Sequence, residues 1–178
     1  MKIGLVRHFE VKISTPKSCD SDTFNKVCRL YDTCDIIPFP TKFSTLDYSI
    51  CYCSPLKRAY ETAHIIYNGK IIVCPDLVEV PMQAPFQTKK NLPFGLWKVL
   101  SRIGWAFNLK KMPETRKQTD QRMERIVEII KKNNSKNILL VTHGFFITCL
   151  QSKLKKMGFK GKETLNPSNG TIYEFVNN

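Results

Sequence analysis

Acidic residues are scarce in this chain: 15 Asp and Glu stand against 28 Lys and Arg, which leaves a net charge of +13. A field of that sign attracts anions, whether phosphorylated metabolites, nucleic acid or a membrane surface, and it carries no information about fold. No uninterrupted apolar run is long enough to span a bilayer, so a transmembrane helix is not expected. No repeat or low-complexity tract occurs, which excludes a repeat array. Met1 leads straight into the first apolar run and leaves no room for a secretory signal, so the expectation is a cytoplasmic chain. The cysteines are seven in number, and none forms a CxxC pair or a Cys/His cluster at zinc-ligand spacing. They read as reduced, mostly buried thiols, and no metal site is expected.

What the chain does contain suits one domain. Its 178 residues are 42% hydrophobic, enough for a substantial core. The basic excess is unevenly placed. Between Ala84 and Gln118 lie Lys89, Lys90, Lys98, Arg102, Lys110, Lys111, Arg116 and Lys117 against Glu114 alone, a local excess of +7. A second lysine cluster runs from Lys153 to Lys162.

Read in order, Lys2 to Arg7 is a short apolar strand. Ser21 to Tyr31 has the spacing of an amphipathic helix, with apolar Phe24, Val27, Cys28, Leu30 and Tyr31. Tyr48 to Cys53 reads as a strand, and Ser54-Pro55 opens the next helix with a capping hydroxyl and a proline in the first turn. That helix carries Arg58 and reaches about Tyr67, where Asn68-Gly69 turns the chain into a third strand, Ile71 to Cys74. After Asp76 to Val80 comes an irregular insertion, about residues 84–112, with a helix expected near Phe94 to Phe107. A polar helix follows from Glu114 to Lys132, then a strand from Asn137 to Thr142, a helix from about Phe145 to Met157, and a closing strand from Thr171 to Val176. The order indicates an α/β protein, a three-layer α/β/α sandwich with a single domain over residues 1–178 and a helical insertion after the third strand.

The chemistry gathers at strand ends. In an open α/β sheet the crevice outside the strands' carboxyl ends is where ligands sit. Arg7-His8 and His143-Gly144 both fall there, which predicts one shared pocket. Arg7, Arg58 and His143 can surround a small tetrahedral anion, because guanidinium groups bind phosphate oxygens in a fork. His8 is then left as the nucleophile. A neutral imidazole attacking phosphorus yields a phosphohistidine, which water hydrolyses later, and a carboxylic acid must protonate the departing oxygen. Glu79 is the natural candidate, with Glu10 and Asp76 next in line. His64, on the Arg58 helix, has no matching partner and reads as structural.

Leu5-Val-Arg-His-Phe-Glu10, Ser54-Pro-Leu-Lys-Arg-Ala-Tyr-Glu-Thr-Ala63, Leu77-Val-Glu79 and Val141-Thr-His-Gly144 together resemble the histidine phosphatase superfamily, the phosphoglycerate mutase-like proteins, over nearly the whole chain. The resemblance implies a mostly parallel central sheet and a metal-independent phosphatase without cofactors. It puts the nucleophile on His8, the phosphate-binding groups on Arg7, Arg58 and His143, and the proton donor on Glu79. The chain departs from the pattern at Phe9, where the family usually has glycine, and at Ser14, where many members have asparagine. A Gly-x-Trp-Glu-Gly-like stretch after the acid is absent. These departures argue for a phosphatase acting on a small phosphorylated metabolite rather than a phosphoglycerate mutase-type phosphotransferase.

Two further readings come from composition. Nucleic acid is not expected as a partner, because no binding motif accompanies the charge. The stretch Leu92 to Phe107, with Trp97, Trp105 and basic flanks, resembles an interfacial helix and suggests peripheral membrane contact or a catalytically weak binding protein. As a lid, the insertion is expected to draw anions toward His8 through Lys89, Lys90, Lys98 and Arg102.

Overall fold

The computed structural model describes residues 1–134 and 136–177. Its elements, in chain order, are β1 (Lys2–Arg7), β2 (Glu10–Val11), β3 (Ser18–Cys19), α1 (Ser21–Tyr31), β4 (Ile36–Ile37), β5 (Ile50–Cys53), α2 (Lys57–Ile66), β6 (Ile71–Val73), β7 (Leu92–Pro93), α3 (Phe94–Ala106), α4 (Arg116–Lys132), β8 (Ile138–Thr142), α5 (Gly144–Lys156), β9 (Lys160–Gly161) and β10 (Ile172–Val176). The central sheet has the order β6-β5-β8-β1-β10-β9. β6, β5, β8 and β1 run parallel, and β10 and β9 close one edge antiparallel.

Parallel strands covered on both faces read as unbroken apolar runs, and β1 and β8 are of that kind. Side chains alternate across the sheet. Ile3, Leu5, Ile138 and Leu140 face the core under α4 and α5, with Met123, Ile126, Ile130, Phe146, Ile147 and Leu150. Val6, Leu139, Val141, Cys51 and Cys53 face Ala59 and Ala63 of α2. The expected three-layer sandwich with a mostly parallel sheet is therefore the fold observed. The central sheet has one strand more than expected, because Lys160–Gly161 pairs with β10, and two unexpected two-stranded ribbons, β2-β4 and β3-β7, lie outside it.

Two helix starts differ from expectation. α4 begins with a capping box, in which the Thr115 hydroxyl accepts from the Gln118 amide and the Gln118 side chain accepts from the Thr115 amide. Glu114 stands outside the helix and pairs with Arg122. At α2 the residue in the cap position is Leu56, with no side-chain cap. The Ser54 hydroxyl that was expected to cap this helix is held instead by His143, 2.8 Å away.

The insertion is stitched to the start of α1. β3 pairs with β7, Ser21 and Thr88 exchange hydrogen bonds, and the Trp97 indole donates to the Cys19 carbonyl at 2.9 Å. Trp97, Ser101 and Gly104 form the buried side of α3, and Trp97 packs with Phe24 and Ala84. The opposite side of α3 is not covered. No helix among the described residues is long and apolar enough to cross a membrane.

Candidate active site

The register of the sheet brings the two strand-end histidines together. β1 and β8 are parallel neighbours with Arg7 opposite Thr142, and the His8 amide donates to the Thr142 carbonyl at 3.0 Å. Both chains leave the sheet at the same level, so the His8 and His143 rings lie 5.2 Å apart between centroids. Both side chains are buried. The loop before β10 clamps this edge. Gly170, at φ +59°, donates its amide to the Arg7 carbonyl at 2.9 Å, and the Asn169 side chain donates to the His8 carbonyl at 2.8 Å. A positive φ of this size is where glycine costs least.

The tautomer of His8 follows from its partners. Nδ1 lies 2.6 Å from the Phe9 carbonyl oxygen, which can only accept, so Nδ1 carries the proton. Nε2 is then a bare lone pair, and it accepts from Arg58 Nε at 3.2 Å. Burial pushes the His8 imidazole down to about 3, and the charges of Arg58 and Arg7 push the same way. The ring is therefore neutral, with the Nε2 lone pair turned toward Arg58. His143 is held well below the ordinary imidazole range, first by burial and then by Arg58.

The donors around His8 are only partly matched. Arg58 rises from the first turn of α2, gives one Nη1 bond to Asp32 at 2.7 Å, and lies over the Tyr31 ring. Arg7 donates through Nη1 to the Pro167 carbonyl at 2.6 Å, while its Nε is buried with no partner. Nδ1 of His143 is also buried and unpartnered. Ser54 Oγ already accepts from the Leu56 amide at 3.3 Å, so its hydroxyl proton is free to donate to His143 Nε2. The hydroxyl also keeps a second lone pair, so the proton of His143 can stand on either ring nitrogen. Buried polar atoms without partners are rare and costly, and the Arg7 Nε–H is a donor suited to an anion at this edge.

Glu79 follows the turn after β6. Its carboxylate accepts from the amides of Val80, Phe145 and Phe146 at 2.9, 3.2 and 3.1 Å, the last two belonging to the first turn of α5. It thus sits at the positive end of that helix. Arg122 fixes the same segment by donating to the Asp76 and Val78 carbonyls at 2.8 and 2.7 Å. Arg7, His8, Arg58 and Glu79 line one cavity of about 300 Å³, together with Tyr31, Asp32 and Met82. The five residues singled out in the sequence meet at this edge, but only four stand in the cavity wall; His143, expected in the same pocket, is buried outside it with its ring 5.2 Å from that of His8.

The other candidates lie elsewhere. Glu10 is exposed on β2, and Asp76 is engaged with Arg125. His64 is exposed against Tyr60 on the outer face of α2. Phe9 is fully buried with its ring on Phe39, and it lines neither this cavity nor its neighbour. The departure from glycine therefore leaves the pocket untouched; Phe9 serves it through its carbonyl. Arg102 is not a free steering cation, because it donates to the Val80 carbonyl at 2.8 Å and stacks on Phe145 at 4.0 Å. Lys89 pairs with Asp22.

Sequence reasoning missed Asp32, Ser54 as the partner of His143, Thr62 and Asn169. Thr62 accepts the Phe9 amide at 2.9 Å and so holds the backbone whose carbonyl orients His8. Ser54 and Thr62 both lie in the motif that marks Arg58, which was the available signal. Asp32 and Asn169 had none.

Two predictions arise from this geometry. A methyl group on Gly144 would stand 3.2 Å from Arg7 Nε and 3.3 Å from its Cζ. Gly144→Ala is therefore expected to displace the Arg7 fork by a few tenths of an ångström and to lower kcat/KM about tenfold, with melting temperature nearly unchanged. Steady-state kinetics beside a thermal melt check it, and unaltered kcat/KM would mean that Arg7 need not sit there.

The second concerns acid. Histidines at the ordinary value take up protons in the unfolded chain below about pH 6.5, whereas folded His8 and His143 refuse them. The unfolded state then binds more protons, so stability falls as pH drops from 6.5 toward 3. Between pH 6 and 5 the slope is expected to approach about 2.7 kcal/mol per unit, the two-proton limit. Urea titrations across that window measure it, and a flat profile would mean that the rings are not held neutral.

The same architecture occurs in solved phosphatase structures. The alpha-ribazole phosphatase from Shigella flexneri superposes with a TM-score of 0.56 at 18% identity, covering 98% of this chain and 89% of that one. A phosphoserine phosphatase from Entamoeba histolytica, in complex with phosphoserine, gives 0.55 at 16% identity, with 98% and 90% covered. A mycobacterial glucosyl-3-phosphoglycerate phosphatase gives 0.51 at 18%, with 87% and 79% covered. This likeness defines the class, a phosphoglycerate mutase-like α/β fold. Residues 39–177 match the histidine phosphatase superfamily (branch 1), and the chain belongs to that superfamily. The matched stretch contains Arg58, Glu79 and His143; Arg7 and His8 precede it and join them through the pairing of β1 with β8. No curated protein sequence matches the chain.

Proposed function

We propose that the protein is a metal-independent phosphomonoester hydrolase that works through a phosphohistidine on Nε2 of His8. The observation that carries this reading is the tautomer: the Phe9 carbonyl holds the proton on Nδ1 and leaves a neutral, unprotonated Nε2 beside two arginines. A phosphoryl group bound by Arg7 and Arg58, with the His143 ring beside that of His8, meets that lone pair. The Nε2–P bond forms as the P–O bond to the alcohol breaks, and Arg58 Nε shifts its hydrogen bond from Nε2 to a phosphoryl oxygen. Glu79 gives its proton to the departing oxygen. The amides of Phe145 and Phe146 are matched to the carboxylate that remains. In the second half, water attacks phosphorus, Glu79 takes its proton, and inorganic phosphate leaves His8 as it was.

Phosphoryl transfer needs positioning and charge stabilisation more than covalent assistance. Here the guanidinium groups supply the positive charge, and turnover is expected to persist in a chelator. The partner is a small phosphorylated substrate, and the basic insertion favours its approach. All seven cysteines are free thiols, which suits a cytoplasmic enzyme.

The test is phosphate release over a panel of phosphomonoesters with EDTA present. Hydrolysis of at least one ester by the wild type, and not by His8→Ala, is the expected result. Release that appears only on adding a divalent cation, or none at all, would overturn the assignment.

A further inference from the structure

The uncovered side of α3 is apolar where a solvent-facing helix is normally polar. Leu96, Val99, Ile103 and Phe107 follow each other down it, and Phe107 is 75% exposed. Leu165, at 90%, stands among the same lining residues, two positions before the Pro167 carbonyl that holds Arg7. Val99, Ile103, Phe107, Phe145 and Leu165 wall an open groove of about 720 Å³. Arg7, Glu79 and Met82 line both this groove and the His8 cavity, so the two adjoin at these side chains. The guanidinium of Arg102 is already engaged with Val80 and Phe145, and the other cations in the wall are Lys98 and, at the end shared with the cavity, Arg7.

A leaving group departing past Glu79 enters this groove. Exposed apolar side chains beside a reactive centre gain when hydrocarbon covers them, and a polar leaving group lying on Val99, Ile103, Phe107 and Leu165 would lose water there, with Lys98, Thr148 and Asn166 the polar side chains elsewhere in the wall. The volume is that of a small-molecule site. We propose that the groove holds the leaving group of the substrate, which is a phosphomonoester of an apolar alcohol, carrying a hydrocarbon chain or ring, rather than of an amino acid or sugar. The inference rests on the phosphatase reading above and adds the substrate class.

A series of n-alkyl phosphates from ethyl to octyl, kept below micelle-forming concentrations, tests it. Each added methylene is expected to raise kcat/KM about threefold until the groove is filled. Ile103→Asp and Val99→Asp should cut the ratio of octyl to ethyl phosphate by at least about tenfold. Leu46→Asp, at an exposed site outside both cavities, should leave that ratio alone. If an aspartate variant does not fold, Ile103→Ser gives the same comparison with a smaller loss.

A ratio that is flat or falls with chain length overturns the inference, and does so as well if the chain sediments with lipid vesicles, since the face then belongs to a membrane surface. The phosphatase reading survives that result as long as ethyl phosphate is hydrolysed. If no ester is hydrolysed, the phosphatase reading fails, and calorimetry on His8→Ala decides the groove by itself: tighter binding of octyl than ethyl phosphate upholds it, and equal binding overturns it.

Discussion

His8→Ala is expected to lose at least about 10⁴-fold in kcat/KM on every ester that the wild-type protein hydrolyses, as removal of a covalent nucleophile generally does. Neither His143 nor Cys28 is placed to take over its role. His143 has Nε2 bonded to Ser54 and is packed behind His8, and the thiol of Cys28, the one cysteine in the wall, is pushed up to about 11 by burial and is not a nucleophile at neutral pH. The substitution leaves Arg58 Nε and the Phe9 carbonyl without partners, which costs on the order of 1–3 kcal/mol, so the variant should melt lower but still fold. Kinetics at a temperature well below its melting point separate the two effects. Activity within tenfold of wild type would remove His8 from the chemistry.

Glu79→Gln is expected to lose about 100-fold on alkyl phosphates and only a few-fold on p-nitrophenyl phosphate, whose phenolate leaves without a proton. Glu79 is observed as the cap of α5 and proposed as the general acid, and this comparison tells the two roles apart. A glutamine oxygen can still accept from Phe145 or Phe146, so the helix start is largely kept. Loss of the cap alone would slow both esters equally. Equal losses would therefore reduce Glu79 to a structural residue.

The parts that sequence made legible were those with local physical signatures. β1 and β8 lie between helical layers and show it as unbroken apolar runs, so the strand ends carrying Arg7-His8 and His143 stood out. The α1 boundaries followed from spacing, and Asp20 supplies the capping oxygen. What escaped was non-local. Asp32 reaches Arg58 across 26 positions, and β3 finds β7 more than 70 residues away, neither with a pattern that announces it. β9 is two residues of Lys and Gly, exposed and without alternation. Ser54 had the right neighbours for a cap, and only the tertiary structure hands its hydroxyl to His143. Arg102 looked like a surface charge because sequence shows a side chain's sign and not its burial.

The central claim is covalent attack by Nε2 of His8, and the measurement that meets it most directly is a single-turnover quench with a ³²P-labelled ester. The account predicts a transient phosphoryl adduct, acid-labile and alkali-stable, that maps to the peptide containing His8 and is missing in His8→Ala. Product release with no such adduct on the wild type, or an adduct that persists in His8→Ala, would contradict it.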